Sequence, residues 1–173
     1  ATIAVAGAKN VTWNTSGLPW SHSLANCDGD GSTLDLSAVT LLDDSYDDGS
    51  GGASTHSINV SNGGHVDLSG LLQTVAAARA EDFLELFITG ATSSLDVGAL
   101  HTISGAGGRA QIRATDGATL DLPALTTIQD TWFNVSGGAR VSVAGGAAAT
   151  CDAGSAGDAV GGGPRGDFGA AVP

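Results

Sequence analysis

Carboxylates are the side chains of this sequence best placed to do chemistry. An aspartate recurs at the centre of apolar-Asp-apolar triplets, at Asp35, Asp67, Asp96 and Asp121. Two small residues and another apolar one follow each triplet, as in Leu34-Asp35-Leu36-Ser37-Ala38-Val39 and Leu120-Asp121-Leu122-Pro123-Ala124-Leu125. Two acidic loops add to these, Asp28-Gly29-Asp30-Gly31 and Asp43-Asp44-Ser45-Tyr46-Asp47-Asp48. If the triplets stack, their aspartates form a ladder of like charges about 4.8 Å apart, which requires compensation. Hydrogen bonds from turn amides would supply it, and so would Ca2+, which takes carboxylate and carbonyl oxygens in flexible geometry. Asp28, Asp30, Asp35, Asp67, Asp96 and Asp121 are therefore the candidate calcium ligands. The Asp28 to Gly31 loop lacks the distal acid of an EF-hand, which weakens that match.

Catalysis fits the same residues poorly. Glycosidases hold two carboxylates about 5 to 9 Å apart, but four equivalent acids show no division into acid and base. A lyase needs a base, and the cations are Lys9 and five arginines, which rarely lose a proton. His22, His56, His65 and His101 have no HxH or HExxH spacing and make no zinc site. The expectation is a non-catalytic protein. Cys27 and Cys151 lie four to five repeats apart, roughly 20 Å, against the ~6 Å a disulfide spans. They can pair only if the tail folds back.

The elements that must position these residues are short strands. The triplet pattern has four clear copies, a weaker one at Val141-Ser142-Val143 and a start at Val11-Thr12-Trp13. A second alternating segment precedes most copies: Ile3-Ala4-Val5, Ile58-Asn59-Val60, Leu86-Phe87-Ile88, Ile112-Arg113-Ala114 and Phe133-Asn134-Val135. Leu100-His101-Thr102-Ile103 and Leu125-Thr126-Thr127-Ile128 supply a third apolar side. Each repeat takes roughly 21 to 32 residues, a length typical of solenoid repeats. Alternation in short runs argues for strands with one face inward. The reading is all-β: a short right-handed parallel β-helix of about six coils with variable loops over 1–150, then a Gly-rich cap or flexible tail over 151–173. A sandwich or barrel is the alternative, and one helical turn is expected within 76–83.

These repeats resemble the parallel β-helix repeats of bacterial secreted and surface proteins. The phrase LDLPALTTI, residues 120–128, is also similar to the leucine-rich repeats of receptor L-domains. The resemblance covers roughly 1–150 and implies an architecture rather than a catalytic site.

Stacking turns outward residues into columns. One is expected to read Thr12, Asp35, Asp67, Asp96, Asp121, Ser142, and another Ala4, Asn59, Phe87, Arg113, Asn134 with Ser57, Glu85, Gln111 and Trp132 beside it. Phe87 and Trp132 next to amides and Arg113 suit sugar stacking and hydroxyl hydrogen bonding. Asn59, Phe87, Arg113, Trp132 and Asn134 are the candidate ligand-binding residues. A threonine column, Thr74, Thr102 and Thr127, is too short for an ice-binding face.

Composition bounds the rest. The chain has 173 residues, 42% of them hydrophobic, with 27 glycines and a net charge of −12. That acidity opposes phosphate backbones, so nucleic acid is not an expected partner. No apolar run reaches the roughly 20 residues of a membrane span, so no membrane insertion is expected. The absence of methionine implies a processed product or part of a larger protein. Abundant aspartate with one lysine suits an extracellular or cell-surface setting. The expected role is a rigid spacer or adhesion surface, with calcium as the candidate cofactor. The alternative is a carbohydrate-binding or polysaccharide-degrading module, its partner a polysaccharide or another cell-surface protein.

Overall fold

The computed structural model describes residues 2–4, 10–18, 20–47, 49, 51–143, 150–152 and 166–167, with the backbone alone at 2–4, 150–152 and 166–167. Among these residues there are eighteen strands and no helix. Strands in the first sheet are β1 (Thr2–Ala4), β4 (Thr33–Asp35), β7 (His65–Asp67) and β10 (Ser94–Asp96). The second contains β2 (Val11–Asn14), β5 (Val39–Asp43), β8 (Gln73–Val75), β11 (Thr102–Ser104), β14 (Thr127–Gln129) and β17 (Thr150–Asp152). The third contains β3 (His22–Asp28), β6 (Thr55–Ser61), β9 (Phe83–Thr89), β12 (Arg109–Thr115) and β15 (Thr131–Val135). In all three, each strand pairs in parallel with the strand three places along the chain. A further ladder joins β13 (Thr119–Leu122) to β16 (Arg140–Val143) in parallel, and β16 to β18 (Gly166–Asp167) antiparallel.

Alternation creates the core. In β6, β9 and β12 every second residue is buried and the others half-buried. Parallel register then stacks like on like. Ile58, Leu86 and Ile112 form one buried column, Val60, Ile88 and Ala114 the next, and Leu42, Thr74, Ile103 and Ile128 a third. Each fully buried Leu or Ile contributes roughly 1.5–3 kcal/mol, and nearly all of these lie in one continuous cluster.

Corners repeat as faithfully as strands. After strands of the third sheet, leading into β7, β13 and β16, a turn closes with an amide-to-carbonyl bond three residues back: Gly64 to Ser61 at 2.9 Å, Ala118 to Thr115 at 3.1 Å and Ala139 to Ser136 at 3.1 Å. Both central residues have positive φ in Asn62-Gly63, Asp116-Gly117 and Gly137-Gly138, a conformation that Asn, Asp and Gly tolerate best. Gly64 answers a different need, because a Cβ there would stand 2.3 Å from the Cys27 carbonyl oxygen. Leading into the second sheet, bonds from Val39 to Leu36, Leu71 to Leu68 and Leu100 to Val97 after first-sheet strands, and from Leu125 to Leu122 after β13, close equivalent turns. Loops of variable length occupy the remaining corner.

Several expectations need correction. β1 pairs Ile3 with Leu34 and Ala4 with Asp35, so Ile3-Ala4 belongs to the aspartate column. Val11-Thr12-Trp13 lies instead in the second sheet, with Thr12 beside Leu41. Asn26, not Ala4, stands beside Asn59 in the third sheet, on a strand β3 that the sequence did not announce. Thr74 is buried beside Ile103, leaving Gln73, Thr102 and Thr127 in one row. Segment 76–83 holds a turn, closed by Asp82 N to Arg79 O at 2.9 Å, rather than a helical one. β17 begins at the boundary drawn at 150, and the rest of the expected tail, apart from 166–167, falls outside the described residues.

Candidate functional site

The third sheet presents the candidate ligand-binding residues on one outward face. Register aligns Asn26, Asn59, Phe87, Arg113 and Asn134 in one row, and Ser23, Ser57, Glu85, Gln111 and Trp132 in a parallel one. Five rungs at the usual strand spacing make the face roughly 19 Å long. Phe83 and Arg109 are neighbours in a third row.

Arginine and aromatic side chains interlock on it. The Arg113 guanidinium lies 4.5 Å from the Phe87 ring centre, and that of Arg109 lies 4.7 Å from the Trp132 ring centre. Trp132 also meets Phe83 at 5.2 Å between ring centres, tilted by 54°. Glu85 approaches Arg113 at 3.8 Å. Burial pushes the Glu85 carboxyl above the usual range, and the nearby Arg113 charge pulls it partly back. Arg113 Nε is buried without a hydrogen-bond partner. At the other end, Asn59 Nδ2 donates to Ser23 Oγ at 2.9 Å and Ser57 Oγ at 3.0 Å. The rings are half-buried, so they offer edges and partial faces rather than open platforms.

The acidic residues resolve differently. Asp35, Asp67 and Asp96 do stand in one row. Each uses Oδ1 to accept the backbone N–H two residues on: Ser37 at 3.0 Å, Ser69 at 2.9 Å and Gly98 at 2.9 Å. The repeated aspartate is thus an Asx cap on the corner turn. Ser37 Oγ adds a second donor at 2.6 Å, and these bonds hold the Asp35 carboxyl below its usual range. Asp121 is the exception, because Pro123 has no N–H to give; it takes the Ser142 hydroxyl instead. Asp28 accepts from Ser61 Oγ at 2.5 Å and Asn62 Nδ2 at 2.7 Å, which lowers its pKa. Asp30 is exposed at the neighbouring turn. Among the described residues no three His, Cys, Asp or Glu side chains gather as a metal cage. Protein donors thus face one carboxylate oxygen at least of Asp28, Asp35, Asp67, Asp96 and Asp121.

A cluster that the sequence did not signal lies at the variable corner. Asp44 belongs to the acidic stretch read as a surface loop, yet it is only 1% exposed. Its Oδ1 accepts from Thr15 Oγ1 at 2.5 Å and faces His56 Nδ1 at 2.5 Å, while Oδ2 is buried without a partner. His56 Nε2 faces the Trp20 carbonyl at 3.0 Å. Because Thr15 bonds Asp44 rather than His56, the trio does not form a nucleophile–base relay. Nearby, buried Asp82 accepts the Ser54 amide at 2.8 Å. Periodicity could have indicated His56, which shares the inward parity of Ile58 and Val60 in β6.

Cys27 is a buried free thiol, its Sγ 3.3 Å from the carbonyl oxygens of both Ser32 and His65. The side chain of Cys151 falls outside the described residues.

These features define an all-β protein of parallel sheets with one arginine–aromatic face. No family model matches the chain, and neither does any curated protein or solved structure.

Proposed function

We propose that the three sheets are the walls of a short right-handed parallel β-helix of about six coils, and that this solenoid is a non-catalytic, extracellular or cell-surface adhesion module. Pairing of each strand with the third one along supports the coil path, and parallel crossovers take the right hand in nearly all known cases. Five strands in the third sheet correspond to five turns, with β1 and β2 beginning a sixth. Acids committed to capping turns support a structural rather than an acid–base role.

The adhesive surface in this reading is the face of Asn59, Phe87, Arg113, Trp132 and Asn134, and its partner is a polysaccharide. The observation that carries it is the pairing of two arginines with two aromatic rings among amides, in a chain with six Lys and Arg residues against eighteen acids. Such a face offers ring edges to sugar C–H groups and donors to hydroxyl or carboxylate oxygens. A glycan array tests it. Retention of a defined oligosaccharide, reduced at least tenfold by Trp132→Ala at unchanged melting temperature, is expected; no retention on the array overturns the glycan reading and leaves a ligand-free spacer.

A further inference from the structure

His56 sits between two acceptors. Its Nδ1 faces the Asp44 carboxyl at 2.5 Å and its Nε2 faces the Trp20 carbonyl oxygen at 3.0 Å. A neutral imidazole donates from one nitrogen only, so satisfying both contacts requires the Asp44–His56 pair to hold two protons. One lies on Nε2, donated to Trp20, and the other lies between Nδ1 and Oδ1. We propose that this pair is a proton-dependent latch, which fastens the segment carrying Trp20 while two protons are bound and releases it when one passes to water.

Geometry explains why the second proton matters. Without it, the Nδ1 lone pair and an ionised carboxylate would face each other in a site only 1% exposed on the Asp44 side and 6% on the His56 side. Other charged or titratable groups near the pair give little relief: Asp82 adds negative charge, and His22 stacks on the His56 ring with 6.0 Å between ring centres. Thr15 already donates its hydroxyl to the same oxygen, and Oδ2 has no partner. Burial raises the Asp44 carboxyl above its usual range, more than the Thr15 and His56 hydrogen bonds lower it, and the Asp82 charge raises it further.

The latched segment has reason to open. Trp20 holds φ at +68°, a left-handed conformation rare for a bulky residue, and the residue is 67% exposed. Leu18 beside it is 36% exposed. The polar pair and the bonds from Thr15 N to Asp43 O and Leu18 N to Thr15 O are among the contacts that order this segment.

The sign follows from proton counting. An opened pair has ordinary groups, near 6.5 for histidine and 3.9 for aspartate, so above about pH 6.5 it keeps one proton fewer than the closed pair. Rising pH therefore favours opening, by up to tenfold per pH unit for one released proton. Amide exchange of Thr15 and Leu18, corrected for intrinsic rates, measures this between pH 6 and 9. Protection is expected to fall with pH in the wild type and to stay flat in Asp44→Asn, which has no carboxyl to titrate. Constant wild-type protection, or the same slope in Asp44→Asn, overturns the latch. If that variant does not fold, the His56 ring nitrogen shifts of the wild type decide. They must change over the same pH range as the protection, and shifts that stay constant while protection falls overturn the proposal.

Discussion

Replacing Gly64 by alanine tests the stacking of successive turns at a single atom. The added Cβ would lie 2.3 Å from the Cys27 carbonyl oxygen and 2.8 Å from its carbon, against the 3.4 Å at which ordinary contact begins. Gly64 itself is outside the left-handed region, so its backbone accepts alanine and the effect isolates the close approach. Relief requires the two layers to part by about 1 Å. Bonds that cross the gap between these layers, His65 N to Ser32 O at 2.9 Å and Gly29 N to Ser61 O at 3.1 Å, are taken beyond hydrogen-bonding range by an opening of that size. Two lost bonds at about 1 kcal/mol each, with overpacking strain of about 1 to 3 kcal/mol, give a destabilisation of roughly 3 to 5 kcal/mol. Gly51→Ala is the control, because nothing lies within 4 Å of its Cβ position and its φ is unexceptional. Urea unfolding followed by circular dichroism should lower the midpoint of Gly64→Ala at an unchanged slope and leave Gly51→Ala within about 0.5 kcal/mol of the parent. Equal midpoints for the two variants would refute the layered corner.

Two more outcomes follow from the acids. If Asp67 is a turn cap, Asp67→Asn keeps the acceptor for Ser69 N and loses only like-charge repulsion, so its urea midpoint should equal or exceed the parent's. Asp67→Ala should lose about 1 kcal/mol, and a chelator should leave all three melting curves unchanged. Hydrogen bonds from Ser61 and Asn62 to Asp28, from Ser37 to Asp35, and from Ser45 to Asp43 hold these carboxyls low. Their stabilisation is therefore complete above the ordinary aspartate value near 3.9 and fades as pH falls through the lower folded values; Asp35→Asn should flatten that acid limb in melts from pH 5 to 2.

Strand parity and the outward rows of the third sheet were legible because apolar residues alternate in phase with them. Asn59, Phe87, Arg113 and Asn134 fall at the same place in successive segments, and register aligned them. The start of the chain was illegible for the same reason that the middle was clear. Ile3-Ala4-Val5 and Val11-Thr12-Trp13 share one apolar-x-apolar pattern, and such triplets occur on every side, so spacing alone could not assign them. β3 was hidden by its small and polar members, Ser23, Ala25 and Asn26, and by a bulge near Leu24 that breaks its alternation. The capping role of Asp35, Asp67 and Asp96 was foreshadowed by the small residues after them, whereas the loss of that cap at Asp121 turns on the absent proline N–H. Asp44 was misplaced because an acid among three others reads as solvent-facing; its burial depends on Thr15 and His56, which come from other strands and loops.

Repetition carries an ambiguity of its own. Near-identical layers bury nearly the same apolar surface if one strand seats a layer too far, so side-chain volume discriminates weakly between the correct threading and its neighbours. The Asp44–His56 pair breaks that degeneracy. Asp44 occupies the layer below Ala76 at the end of the second sheet, and His56 precedes Leu84 in its row. A slip of one layer would set His56 against alanine and leave Asp44 enclosed without its partner, at a cost of about 3 to 5 kcal/mol. That cost approaches the whole stability of many domains, which fall in a range of roughly 5 to 15 kcal/mol. One polar pair in an apolar stack thus serves as the index mark from which the other layers are counted.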